Sequence, residues 1–191
     1  MSSHHVVKED QEPALILVDQ LATQPETIRQ LLEWNPTVMV LERALDDVLM
    51  WGVKFDILIC AHNKAKEYAV QLTDFAPVKI LTCQPDEEPV TLAMLFLQAG
   101  KYTAVNLIGV APEKIVAYDQ NLDIVTFYSG IRWALIRTGK FEKWMKRDEQ
   151  LQIRAQGALQ REGVDDDGFV TEQGMVRIIS DCPFWLGERY A

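Results

Sequence analysis

Five short apolar runs punctuate the first half of this 191-residue chain, and the stretches between them carry helix signals. The runs are Ala14 to Val18, Thr37 to Leu41, Phe55 to Cys60, Val78 to Thr82 and Ala104 to Ile108. Apolar runs of this length, bounded by turn residues, read as strands buried on both faces. Thr23-Gln24-Pro25-Glu26 reads as a helix start, with Pro near the first turn and an acid beside it. Ile28, Leu31 and Leu32 give that helix an apolar stripe, and Pro36 follows its end. A second helix is predicted from about Ala44 to Trp51, stopped by Gly52. A third runs from Asn63 to Thr73 with Ala65, Ala69 and Leu72 on one side, and a fourth from Pro89 to Gln98. Strands that alternate with helices require crossover connections and a mostly parallel sheet. Ligands in such sheets sit outside the carboxyl ends of the strands. Those ends are Asp19, Glu42, Ala61-His62-Asn63, Gln84-Pro85-Asp86 and Gly109-Val110.

The pattern changes near Ala111-Pro112. Lys114 to Tyr118 and Asp123 to Tyr128 read as strands around the turn Asp119-Gln120-Asn121, and Ile131 to Arg137 and Leu151 to Arg154 as further strands. Phe169 to Thr171 and Met175 to Ser180 read as a hairpin around Glu172-Gln173-Gly174, and Phe184-Trp185-Leu186 closes the chain. The expected organisation is a polar tail over 1–12, an α/β domain over 13–112 and a small all-β sandwich domain over 113–191.

Net charge is −9, which argues against nucleic acid as a partner because a basic stripe is its usual footprint. No apolar run approaches the roughly 20 residues of a membrane helix. The N-terminal MSSHHVVKEDQEP lacks the basic and apolar regions of a secretory signal, and its His4 and His5 read as a frayed polar pair rather than a metal site. Cys60, Cys83 and Cys182 are odd in number and have no metal-type spacing; a reduced, cytoplasmic protein is expected.

Leu41 to Lys64, LERALDDVLMWGVKFDILICAHNK, resembles without a gap one stretch of thiamine pyrophosphokinases. There the family runs hydrophobic-D-R-G, helix, G-[IV]-K-P-D, apolar strand, G-D-x-D-S. Arg43, Gly52, Val53, Lys54, Asp56 and Ile57-Leu58-Ile59 match the scaffold positions. The resemblance implies an N-terminal α/β catalytic domain followed by a C-terminal β-sandwich. It also implies transfer of a pyrophosphoryl group from ATP to thiamine with Mg²⁺, in a homodimer that binds thiamine at the subunit interface. Arg43, with Glu42, His62 and Asn63, would then stand at the catalytic positions.

The family's metal ligands are replaced. Where it has G-D-x-D-S, this chain has Cys60-Ala61-His62-Asn63-Lys64. Ala61 has no ligating group, Asn63 offers a neutral amide oxygen, and His62 suits softer metals than Mg²⁺. A second motif, T-D before an apolar residue and A-L, appears as Glu88-Pro89-Val90-Thr91-Leu92-Ala93-Met94, so Pro89 stands where the acid should be. A third, G-G-R-x-D-H with its helix, is missing after Ile108-Gly109-Val110. Glu42 takes the place of the strand-end Asp, and Ala44 that of the glycine in D-R-G. Glu42, Asn63 and Glu88, with Asp86 and Glu87, are the candidates for a relocated metal site. The plainer reading of Asp86-Glu87-Glu88 is a solvated acidic turn at a helix N-terminus.

His62 also admits a plainer reading, a hydrogen-bonded loop histidine. Asp165-Asp166-Asp167-Gly168 lacks the alternating ligands and later Glu of a calcium loop and reads as a β-turn. Trp133, Trp144 and Trp185 crowd into the β half. They are candidates to stack on a cationic thiamine-type ring, although a sandwich core or a dimer contact would use the same residues. The expectation drawn from all of this is a divergent member of the family that has lost the transferase site and holds a thiamine-type ligand. An enzyme with a rebuilt metal site, using Mg²⁺ and ATP, and a ligand-free structural homodimer are the alternatives.

Overall fold

Strand and helix alternate where the apolar runs place them. The computed structural model describes residues 12–19, 25–75, 77–115 and 122–190. Its first half runs β1 (Ala14–Leu17), α1 (Pro25–Leu32), β2 (Val38–Leu41), α2 (Leu45–Met50), β3 (Ile57–Ala61), α3 (Ala65–Gln71), β4 (Lys79–Cys83), α4 (Pro89–Ala99) and β5 (Ala104–Ile108). The second half adds β6 (Asp123–Tyr128), β7 (Ile131–Ile136), β8 (Lys140–Met145), β9 (Leu151–Ala155), β10 (Leu159–Glu162), β11 (Gly174–Ser180) and β12 (Phe184–Arg189).

Nine strands form one sheet in the order β4-β3-β2-β1-β5-β6-β7-β12-β9. β4 through β6 are parallel to one another, and β7, β12 and β9 continue the sheet antiparallel. Each parallel strand alternates its apolar side chains between two helical layers. Ile16, Met39, Ile59 and Leu107 pack with Ala93, Met94 and Leu97 of α4. Leu15, Leu17, Val40 and Leu58 pack on the other face with Ile28 of α1 and Leu45 and Val48 of α2. Burial on both faces is why these strands read as continuous apolar runs. Gly52 ends α2 as expected: its φ is +66°, its N–H bonds Leu49 O, and the Val53 N–H reaches back to Val48 O. That pair of bonds is the left-handed cap that a Cβ disfavours.

Residue 112 lies between β5 and β6, which pair in parallel from Ala104 against Asp123 to Ile108 against Phe127. The β half therefore shares its main sheet with the α/β half. Its second sheet, β10-β11-β8, is antiparallel. Val176 and Ile178 of β11 and Met145 of β8 pack face to face on Leu151, Phe184 and Leu186 of the large sheet, which makes this half a sandwich.

Three sequence expectations need correction. Pro112–Lys114 is a 3-10 turn and Ile115 is not in a strand, so no strand begins at Lys114; residues 116–121 lie outside the described residues, as do His4, His5 and Thr23-Gln24. The hairpin around 172–174 does not form. β11 pairs instead with β8 and β10, and Phe169 and Val170 make only isolated bridges to Gln150 and Val164. β8 and β10 were not expected, because their polarity hides them. Trp144 points outward and Lys143 inward, where it pairs with Glu188, and β10 is largely polar, as edge strands are. Asp165 to Gly168 does form the expected turn, closed by the Gly168 N–H to Asp165 O at 3.2 Å.

Candidate functional site

Strand order reverses at β1, whose neighbours are β2 on one side and β5 on the other. A cleft of about 1570 Å³ opens over the carboxyl ends of the parallel strands at this point. That is where an open α/β sheet leaves a crevice, because successive connections diverge to opposite sides. Glu42, Arg43, His62, Asn63 and Glu88 all line it, so the structure brings these five sequence candidates to one cleft. Asp86 is exposed on the turn before α4 and is not part of the cleft wall.

The best-defined group in the cleft is the Glu42 carboxylate. Leu41 of β2 lies opposite Ile59 of β3, so Glu42, the residue after β2, emerges beside the last residues of β3. Glu42 Oε2 accepts the Ala61 N–H at 3.0 Å. Its Oε1 accepts the Tyr68 O–H at 3.2 Å and is ion-paired with the Lys64 ammonium. Lys64, at the N-cap of α3, and Tyr68, in its first turn, are four residues apart and so stand on one side of the helix. Burial alone would raise the Glu42 carboxyl, but the hydrogen bonds from Lys64, Ala61 and Tyr68 and the lysine charge outweigh it and hold it below its ordinary value. Tyr68 moves up, through burial and then the Glu42 charge.

The remaining candidates have simpler surroundings. His62 Nδ1 lies 3.3 Å from Thr82 Oγ1 of β4. Glu87 Oε2 accepts the Gln84 N–H at 3.3 Å, and Glu88 caps α4 by position without a side-chain hydrogen bond. Among the described residues no three His, Cys, Asp or Glu side chains are gathered as a metal ion would need. Cys60 and Cys83 also line the cleft, with thiols raised by burial first and by neighbouring acids second, which suppresses the reactive thiolate.

The three tryptophans do not line this cleft. Trp133 is fully buried, with the Arg154 guanidinium 4.3 Å above its ring. Trp185 is half-buried on the same face of the large sheet, the face away from the small sheet. Trp144 pairs with Met175 on the outer face of the small sheet, and both are exposed, at 61% and 54%. Sequence reasoning missed Lys64 and Tyr68. Their four-residue spacing was the available signal, since it places an ammonium and a hydroxyl side by side facing the end of the neighbouring strand.

Glu42→Gln is expected to lower stability by about 1 kcal/mol near neutral pH, the loss of a charged acceptor from a partly exposed network. Because the folded carboxyl titrates below its ordinary 4.5, its contribution is complete above that pH and is lost as pH falls through the lower folded value. Denaturant unfolding of wild type and Glu42→Gln should therefore differ at pH 7 and converge on acidification.

The fold is thus a mostly parallel α/β sheet extended into a β-sandwich, with a cleft at the switch point. That is the fold of the thiamine pyrophosphokinases. Thiamin pyrophosphokinase from Candida albicans superposes with a TM-score of 0.68 at 7% identity, over 97% of this chain and 91% of that one. The enzyme from Geobacillus thermodenitrificans gives 0.67 at 8% identity, over 93% and 97%. The yeast enzyme gives 0.66 at 8% identity, over 96% and 88%. No family model matches the sequence, and no curated protein matches it significantly. Among the described residues no helix is long and apolar enough to cross a membrane.

Proposed function

We propose that this chain is a thiamine pyrophosphokinase-like protein that holds a thiamine-type ligand, as a homodimer, without transferring pyrophosphate to it. The observation that carries this reading is the engagement of Glu42 by Lys64, Tyr68 and the Ala61 amide. Pyrophosphoryl transfer gathers negative charge on phosphate oxygens, and carboxylate-held Mg²⁺ offsets it. The donors at these strand ends do not fit that ion. The strand-end carboxylate already has a cation of the chain's own, Ala61 has no ligating atom, and the Asn63 amide is a poor substitute for an acid.

The ligand reading rests on the fold and on the charge of the cleft. With Lys64 engaged by Glu42, the wall offers Asp46, Glu87 and Glu88 against Arg43 and Lys114, a slight negative excess that suits a cationic ring. The exposed Trp144 and Met175 on the outer sheet face support a subunit contact, since large exposed apolar side chains in register favour association. Thermal unfolding with thiamine in excess EDTA tests the binding claim. Thiamine is expected to raise Tm by several degrees without metal, as linkage requires of a ligand present well above its Kd. No shift at millimolar thiamine would count against it.

A further inference from the structure

We propose that the Lys64 ammonium is a built-in cation that takes the place of a divalent metal at Glu42, so that the cleft carries its own counter-charge. The inference rests on the reading of the site as metal-free and assigns the position to one residue. A carboxylate offers about four lone-pair sites. At Glu42 three are taken: Oε2 by the Ala61 N–H at 3.0 Å, and Oε1 by the Tyr68 O–H at 3.2 Å and by Lys64.

These contacts come from two adjacent strand ends and the helix after the second. The 3-10 turn His62–Lys64 follows β3 directly, and it carries the lysine back over the end of β2. Strand register and this turn therefore fix where the lysine backbone stands, and its half-exposed side chain reaches Glu42 from there. A divalent ion approaching the one open lone pair of Glu42 would lie close to the ammonium, at a cost in like-charge repulsion. The other acids of the cleft do not compensate: Glu87 is turned to the Gln84 amide, and the described acids do not group around Glu42.

The test reverses the charge at position 64 in the full chain and reads stability with Mn²⁺ or EDTA and no thiamine or nucleotide. Wild type and Lys64→Arg are expected to show the same Tm in EDTA and in millimolar Mn²⁺. Lys64→Glu places two carboxylates together; its Tm should fall in EDTA and recover with Mn²⁺. The recovery should be absent from Lys64→Glu combined with Glu42→Gln. If Lys64→Glu fails to fold, Lys64→Met serves, with Mn²⁺ binding read by electron paramagnetic resonance and expected to be at least tenfold tighter than wild type. The proposal is overturned if Mn²⁺ stabilises wild type in a Glu42-dependent way. It is overturned equally if Mn²⁺ neither restores Lys64→Glu nor binds Lys64→Met, since the lysine would then not occupy a cation position. Because no thiamine is present, failure here speaks to Lys64 alone, and failure of the thiamine shift speaks to the ligand.

Discussion

Gly109→Ala is expected to abolish stable folding, or to cost at least about 4 kcal/mol where some folded protein remains. Gly109 has a φ of +86°, and a Cβ built there would lie 1.8 Å from Asp19 O. The contact is backbone against backbone, so no side chain can move aside. It also sits where β1 and β5 are tied beyond their ends: the Val18 and Asp19 N–H groups both reach Ile108 O, at 3.0 and 3.3 Å. The Gly109 N–H bonds Phe127 O at 2.9 Å, which joins the same point to β6. Relieving the clash would separate strands at the centre of the sheet and open the floor of the cleft. Circular dichroism and denaturant unfolding should find little or no cooperative transition in the variant. A wild-type midpoint would contradict the close approach of β1 and β5.

Trp133→Ala is expected to destabilise by about 4 kcal/mol, the usual range for emptying a large aromatic site. Trp133 is among the largest fully buried side chains. It fills the space that Gly187 leaves open in the next strand, where a Cβ would come within 2.9 Å of the indole. Arg154 covers its ring and is itself ion-paired to Glu113, so the void would be roofed by a charged side chain. Trp133→Phe should cost clearly less. It leaves a smaller void and removes an indole N–H that is buried without a hydrogen-bond partner among the described residues, and desolvating such a group is costly. Urea midpoints for the two variants check the order. Equal losses would show that the indole N–H has a partner after all.

The parallel half was legible because its strands are buried on both faces. Ala14-Leu15-Ile16-Leu17 and Ile57-Leu58-Ile59-Cys60 have no polar position to confuse the reading, and Gly52 marks a helix end by a backbone angle that few other residues adopt. The β half was legible where its strands keep large apolar residues. β6 is buried on both faces, by Ile124 on one and Phe127 on the other, and β12 is marked by Phe184 and Leu186 on its inner face. β8 and β10 carry charge on both faces, because Glu142, Arg177 and Glu162 form a cross-strand ladder and Lys143 turns in toward Glu188. The false hairpin at 169–180 arose because Phe169 and Val170 are apolar for a different reason. Val170 plugs the small core beside Leu151 and Val176, without a partner strand.

The site shows the same division. Strand-end positions follow from topology, so Glu42, His62 and Asn63 could be placed at a cleft from sequence. What each side chain touches depends on the strand register and on the turn that begins α3. Both are set by packing across the sheet, and neither shows in residue type. Lys64 entered the sequence reading only as the last residue of the replaced motif; in three dimensions it is the partner of Glu42.

The most direct test of the central claim is a transfer assay on the folded full chain with Mg²⁺, ATP and thiamine, following AMP and thiamine pyrophosphate together. The account predicts neither product above the enzyme-free control. AMP and thiamine pyrophosphate appearing in equal amounts, and reduced in Glu42→Ala and Glu88→Ala, would contradict it and show that the displaced carboxylates support catalysis.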